Sequence, residues 1–270
     1  MRSSSTSMAR LCLSAAAFVA LSCPSSILSG EAVQVIPVPG GGTVPDAEID
    51  EGGTLHLAYL AADNIYYVLS TDGEQTFSDP IRVNTEAGFA SGGRYRGPDL
   101  AVGAAGTVHV VWYNAAYQQG RPKEEWGVMY ARLRPGEGSF EPSRNLNHLP
   151  SDNYALAADR QGHVAVAWMA ETLFISRSED GGDTFAAPLT LEADPCECCG
   201  SRVLFSEQES LAMLYRDKTG NNRDMYLAVL PGGEPTFRYV KLSRTPLHIE
   251  ACPMTGGFLS NHGEGLLTAW

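Results

Sequence analysis

The sequence predicts an all-β chain of repeated four-stranded units, the plan of a β-propeller, and three observations carry that prediction. Strand-length runs alternate with Gly-, Asp- and Ser-rich turns from Pro45 onward. The alternation recurs at a step of roughly 50 residues, a repeat of propeller length. Two turns of nearly the same sequence, 70–77 and 178–185, stand two steps apart. The composition agrees, because 270 residues with 44% apolar, 28 Gly and 16 Pro suit a Gly-rich β domain with one large core.

The first 30 residues have a different character. Arg2 and Arg10 precede an apolar run from Leu11 to Leu21, and small and polar residues follow to Gly30, which is the layout of a secretory signal peptide. The run is short for a membrane span. Cleavage is expected near Gly30 or Ala32, with Cys23 as an alternative, lipid-bearing site. The protein is therefore expected outside the cytoplasm, periplasmic or extracellular, with residues 31–270 forming one propeller domain and no transmembrane segment in the mature chain.

Within that domain, 33–38 is expected as an isolated outer strand. The first unit then reads as strands at 45–50, 55–60, 65–69 and 80–84. Aligning the second strand of each unit on its late large residue picks out Tyr59, Trp112, Trp168, Leu214 and Trp270. Short strands would also suit a sandwich of hairpins, but two matching turns in register with the repeat favour the propeller. Trp270 falls inside a predicted strand, so about four and a half blades of an expected six are present, and the domain is expected to be truncated at its C-terminal end.

The matching turns are Ser178-Glu179-Asp180-Gly181-Gly182-Asp183-Thr184-Phe185 and Ser70-Thr71-Asp72-Gly73-Glu74-Gln75-Thr76-Phe77. In each, the Asp carboxylate can accept from amides of its own turn, glycine permits positive φ, and the Phe covers the polar loop. Glu74 departs by standing where the other turn has Gly182. The pattern resembles the Asp-box, or BNR repeat, of sialidase-like β-propellers, in which this turn joins the third and fourth strands of a blade. The resemblance implies that Ser70, Asp72, Phe77, Ser178, Asp180, Gly182 and Phe185 are structural, on the rim opposite the long loops.

Those long loops, 85–97, 114–125, 191–202, 216–223 and 244–256, hold nearly half of the 19 Lys and Arg in a chain of net charge −12. Loops are where such residues ordinarily lie, yet a basic face on an acidic body also suits an anionic ligand, either a glycan or a small molecule. The acidic balance argues against nucleic acid. The same face carries Cys196, Cys198, Cys199 and Cys252, an even set that in an exported chain favours disulfides, with a thiolate metal site as the alternative. No pairing follows from the sequence.

Cys196-x-Cys198-Cys199, Tyr215-Arg216-Asp217, Arg223-Asp224-Met225-Tyr226 and Cys252-Pro253 together resemble a bacterial exported subgroup of these sialidase-like proteins. A catalytic sialidase implies three Arg on the substrate carboxylate, a Tyr nucleophile paired with a Glu, and an Asp acid/base. Tyr95-Arg96-Gly97-Pro98 resembles the Tyr-Arg-Ile-Pro motif that supplies the first Arg, departing at Gly97 and in opening the second unit instead of the first. Arg96, Arg216, Arg223 and Asp217 are thus the candidate anion- or substrate-binding residues, and no catalytic residue is named. The expected function is an exo-glycosidase for sialic-acid-type or other anionic glycans, without a cofactor. The alternative is a non-catalytic glycan-binding or protein-interaction propeller.

Overall fold

The computed structural model describes residues 33–93 and 96–270. The chain divides into two units, 1–35 and 36–270, and every described strand lies in the second. The leader and Cys23 lie outside the described residues, as do Arg94 and Tyr95. Among the described residues no helix is long and apolar enough to cross a membrane.

Four antiparallel sheets follow one another along the chain. The first holds β1 (Thr43–Ile49), β2 (Leu55–Ala61), β3 (Asn64–Ser70) and β4 (Ile81–Arg82), paired in chain order. The second holds β5 (Ala90–Ser91), β6 (Asp99–Val102), β7 (Val108–Asn114), β8 (Val128–Leu133) and β9 (Arg144–Asn145). Here β5 and β6 share one edge of β7, β5 beside Tyr113 and Asn114 and β6 beside Val108 to Val111. The third is β10 (Asp152–Ala158), β11 (Val164–Ala170), β12 (Thr172–Ser178) and β13 (Leu189–Glu192), and the fourth is β14 (Arg202–Phe205), β15 (Leu211–Arg216), β16 (Met225–Leu230) and β17 (Arg238–Lys241). A two-stranded piece, β18 (Phe258–His262) with β19 (Gly265–Ala269), comes last. The strands β1, β6, β10, β14 and β18 touch one another in that order, the arrangement of the innermost strands of propeller blades.

The core explains the sequence pattern. Second strands such as Val164–Ala170 are nearly continuous apolar runs because both of their faces are buried between neighbouring sheets. Each large hydrophobic cluster straddles two consecutive sheets: Tyr67 and Ile65 meet Trp112 and Val110, Tyr130 meets Trp168 and Val166, and Leu173 and Ile175 meet Met213 and Tyr215. Burying one such aliphatic side chain contributes about 1.5–3 kcal/mol. The aligned residues Tyr59, Trp112, Trp168 and Leu214 are all enclosed, whereas Trp270, just past β19, is 56% exposed, because the sheet of β18 and β19 has no third strand among the described residues. Residues 33–38 form no strand. Pro37 lacks an amide donor and a tight 3-10 turn follows at Pro39–Gly41, so Val33 and Val35 stay exposed.

The two Ser-x-Asp turns join the third to the fourth strand of their sheets and share one hydrogen-bond network. Ser178 Oγ donates to Asp180 Oδ1 (2.6 Å) and accepts from the Gly182 amide (2.8 Å), while Thr184 donates through its amide and hydroxyl to Asp180 (2.9 and 2.6 Å). Ser70, Asp72, Glu74 and Thr76 repeat this at 2.8, 3.0, 3.0 and 2.6 Å. Glu74 adopts φ 60° where Gly182 has 84°, so the backbone shape survives the loss of glycine. Gly182 itself admits no side chain, since a Cβ there would sit 1.9 Å from Tyr130 Oη.

The aromatic plugs outlast the turn sequence. Phe185 meets the edge of Tyr130 at 5.1 Å, and Phe140, in the unit whose turn sequence has worn away, meets Tyr67 at 5.7 Å. Both tyrosines bond a histidine one repeat apart, Tyr67 to His56 Nδ1 and Tyr130 to His109 Nδ1, each at 2.7 Å. Arg132 is buried and joins the second sheet to the third, bonding Glu141, Asp183 and the Gly181 carbonyl.

Candidate functional site

Two innermost strands carry the same dipeptide near their starts, Pro45-Asp46 in β1 and Pro98-Asp99 leading into β6, and their carboxyls do the same work. Asp46 Oδ2 accepts from the Leu100 amide at 2.7 Å, and Asp99 Oδ2 accepts from the Leu156 amide at 3.0 Å. Two residues on, Glu48 Oε2 accepts from the Val102 amide at 3.0 Å. An innermost strand has a free edge whose amides need partners, and acids from the preceding sheet supply them.

Asp46 lies close enough to Asp99 to act on its carboxyl. Burial, then the charge of Asp46, holds the Asp99 carboxyl well above the usual carboxylate range, with Arg202 pulling weakly the other way. Tyr154 donates its hydroxyl to the Gly97 carbonyl at 2.6 Å, and burial, reinforced by Asp99, keeps that phenol protonated. Tyr154 and Arg202 occupy matching places on β10 and β14, opposite Trp168 and Leu214, one register position before the place that Asp46 and Asp99 hold on their own strands.

These groups line two adjoining cavities of about 720 and 560 Å³, a size that suits a small ligand. Both are bordered by Gly93, Arg96, Asn153 and Tyr154. The larger adds Tyr113, Tyr117, Trp126 and Glu171, with Tyr117 60% exposed and edge-on to Trp126 at 4.7 Å. The smaller adds Asp46, Asp99, Arg202 and Cys198. Two guanidiniums, two carboxyls, a phenol and an aromatic wall thus converge on one cleft. Such a cleft can fix an acidic group, donate a proton and shelter a ring face.

The sequence-derived candidates separate into two places. Arg96 is exposed on the cleft wall. Arg216 is buried and donates to the Arg223 carbonyl at 2.6 Å and to Thr255 at 3.4 Å. Arg223 donates to the Gly220 and Asn222 carbonyls, and Asp217 accepts from the Thr219 hydroxyl at 2.7 Å. These three residues border neither cavity. They frame the cysteines.

Three loops meet there. The Cys196 amide bonds the Arg216 carbonyl at 2.8 Å and the Arg223 amide bonds the Leu247 carbonyl at 2.8 Å. Cys198 and Cys252 form a disulfide, while Cys196 and Cys199 are buried thiols with their sulfurs 3.4 Å apart. Cys196 holds its proton and donates to Cys199, whose thiol is pulled below its ordinary value by that bond and by Arg216 against the opposing effect of burial. Asn153 Nδ2 donates to the Glu197 and Cys199 carbonyls, tying the cysteine loop to the cleft wall.

Asp46, Asp99, Tyr154 and Arg202 were not among the sequence-derived candidates. The signal available was the Pro-Asp pair repeated at the head of the first two units.

No protein-family model matches the chain, and comparison with curated proteins finds no significant match. Among solved structures it is similar to an alpha-L-arabinanase of Penicillium chrysogenum complexed with arabinobiose, with TM-score 0.55 and 14% identity over 84% of this chain and 74% of that one. It is also similar to an ulvan lyase of a polysaccharide-lyase family, with TM-score 0.52 and 12% identity over 81% of this chain and 58% of that one. A Hadza microbial sialidase matches with TM-score 0.49 and 17% identity over 76% of this chain. The chain spans 47% of the sialidase and 58% of the lyase. The chain has the all-β propeller fold found among carbohydrate-active enzymes.

Proposed function

We propose that the protein is an exported member of the sialidase superfamily that acts as an exo-glycosidase on sialic-acid-type or other acidic glycans, at the cleft between Arg96, Arg202 and the Asp46–Asp99 pair. The observation that carries this reading is the meeting of Arg96, Arg202, Asp46 and Asp99 on one cavity wall, with the Asp99 carboxyl raised by burial. Arg96 and Arg202 pair with the ligand's carboxylate, and Asp99, its carboxyl raised by burial, offers a proton to the departing glycosidic oxygen. The ulvan lyase is described as bound to a saccharide containing glucuronate and a sulfated rhamnose, an acidic ligand on a related fold. The leader with Arg2 and Arg10, and the Cys198–Cys252 disulfide, support export.

A retaining glycosidase needs a nucleophile beside its acid. Tyr154, kept protonated, is a hydrogen-bond donor and not a phenolate nucleophile. That observation favours a second reading, a glycan-binding propeller without turnover.

Release of a fluorophore from an aryl sialoside tests the proposal, with Arg96→Ala and Asp99→Asn compared with the wild type. Turnover lost in both variants is expected. Salt-sensitive binding of acidic glycans without hydrolysis selects the binding module, and neither binding nor hydrolysis removes the glycan reading.

A further inference from the structure

The four sulfurs of Cys196, Cys198, Cys199 and Cys252 all lie within 4.8 Å of one another. The non-bonded separations from Cys196 are 3.8 Å to Cys198, 3.4 Å to Cys199 and 4.0 Å to Cys252. Four thiolates around a tetrahedral zinc, each bonded at about 2.3 Å, stand about 3.8 Å from each other. One disulfide does not require two further buried cysteines to lodge against it at that spacing. From the geometry we infer that these four cysteines, when reduced, form a tetrahedral four-thiolate site for zinc(II), with the Cys198–Cys252 disulfide as its oxidised, metal-free form.

The surroundings supply what a thiolate centre needs. One zinc(II) with four thiolates carries two net negative charges, costly to bury unless cations and N–H donors face them. Arg216 is 3% exposed, lies close enough to act on Cys199, and has no carboxylate partner among the described residues. Arg223 lies close enough to act on Cys196, and its Nε is buried without a partner among the described residues. The Met254 amide donates to Cys252 Sγ at 3.3 Å. Two guanidiniums thus offset the two charges of the occupied site, and an amide bonds one of its sulfurs. The structure gives the second sequence reading, a thiolate metal site, a place in the fold.

The chemistry balances with an external dithiol or phosphine as reductant. The reductant supplies two electrons, and two protons are taken up as the Cys198–Cys252 bond breaks to two thiols. Four cysteines then bind zinc(II) as thiolates and release their protons. The occupied site pins the loops carrying residues 196–199, 216–223 and 252–255 together beside the cleft that Cys198 borders.

The test uses the full chain, reduced with a phosphine under argon, loaded with zinc(II) or cobalt(II) and freed of excess metal. One metal ion per chain is expected, with the intense visible bands and thiolate charge-transfer absorption of tetrahedral cobalt, and none in the unreduced protein. Cys196→Ser keeps the disulfide when unreduced and is expected to lose the tetrahedral spectrum when reduced. Arg216→Gln is expected to weaken zinc binding by roughly 10-fold or more. Reduced wild type that retains no metal, or binds cobalt without thiolate absorption, overturns the inference, and neither outcome depends on how the variants fold.

Discussion

Replacing Asp99 by Asn tests whether burial raises the Asp99 carboxyl in the folded chain. A carboxyl whose folded pKa is raised above its unfolded value stabilises the fold fully below that unfolded value, about 4. Above it the unfolded chain gives up the proton while the folded chain keeps it, so stability falls as pH rises until the folded carboxyl itself titrates. Burial first, and then the Asp46 charge, put Asp99 in this class. One proton of difference makes the slope about 1.4 kcal/mol per pH unit. The carboxamide of the Asp99→Asn variant cannot titrate, yet its carbonyl can still accept from the Leu156 amide that Asp99 now engages at 3.0 Å, and its amino group can donate to Asp46. Urea unfolding followed by tryptophan fluorescence between about pH 4 and about pH 7 gives both stabilities, and the other titrating groups cancel in the difference. The variant is expected to gain on the wild type by up to about 1.4 kcal/mol for each unit of rising pH. A difference that does not change with pH refutes the raised Asp99 carboxyl. Asp99→Ala serves as a control, because it also strands the Leu156 amide, at a further cost of about 1 kcal/mol.

Other expectations concern the two matched turns. Gly182→Ala is expected to cost at least about 2 kcal/mol in urea unfolding, because its Cβ meets Tyr130 Oη at 1.9 Å and its φ is 84°. Glu74→Gly, which removes a side chain from φ 60°, should instead stabilise by up to about 1 kcal/mol, and a loss would count against the equivalence of the turns. The Asp72 carboxyl is held down to about 2 by bonds from Thr76 and Ser70. Its contribution is therefore whole above the unfolded value of about 4 and is lost as pH falls through about 2. Hydrogen exchange of the Glu74 and Thr76 amides, corrected for intrinsic rates, should lose protection over that acid range in the wild type and already at neutral pH in Asp72→Ala.

Much of the fold was legible because the determinants are local or periodic. Tyr59, Trp112, Trp168 and Leu214 mark the second strand of each unit since burial on both faces demands a large residue at one place in the repeat. The Ser178–Phe185 turn carries its own hydrogen bonds, so eight residues suffice to recognise it. The site was less legible because its pairings cross between sheets. Asp46 and Asp99 are 53 residues apart, and only the packing of β1 against β6 brings their carboxyls together. Arg216 and Arg223 lie in basic loops that suggested a ligand, yet their guanidiniums bond carbonyls of their own loop, and that of Arg216 also reaches the Thr255 carbonyl, a direction that no local pattern encodes. The cysteines show both limits: their loops could be placed side by side from the repeat, but which sulfurs bond and which remain thiols depended on geometry.

The central claim, that the cleft recognises acidic glycans through Arg96 and Arg202 beside Asp99, is tested most directly by calorimetric titration. The full chain would be titrated with a sialic acid glycoside and with its neutral carboxamide counterpart. Tighter binding of the acid by roughly 10-fold or more, weakening with salt and abolished in the Arg96→Ala, Arg202→Ala double variant, is the predicted result. Equal binding of acid and amide, or an acid preference that survives loss of both arginines, would contradict it.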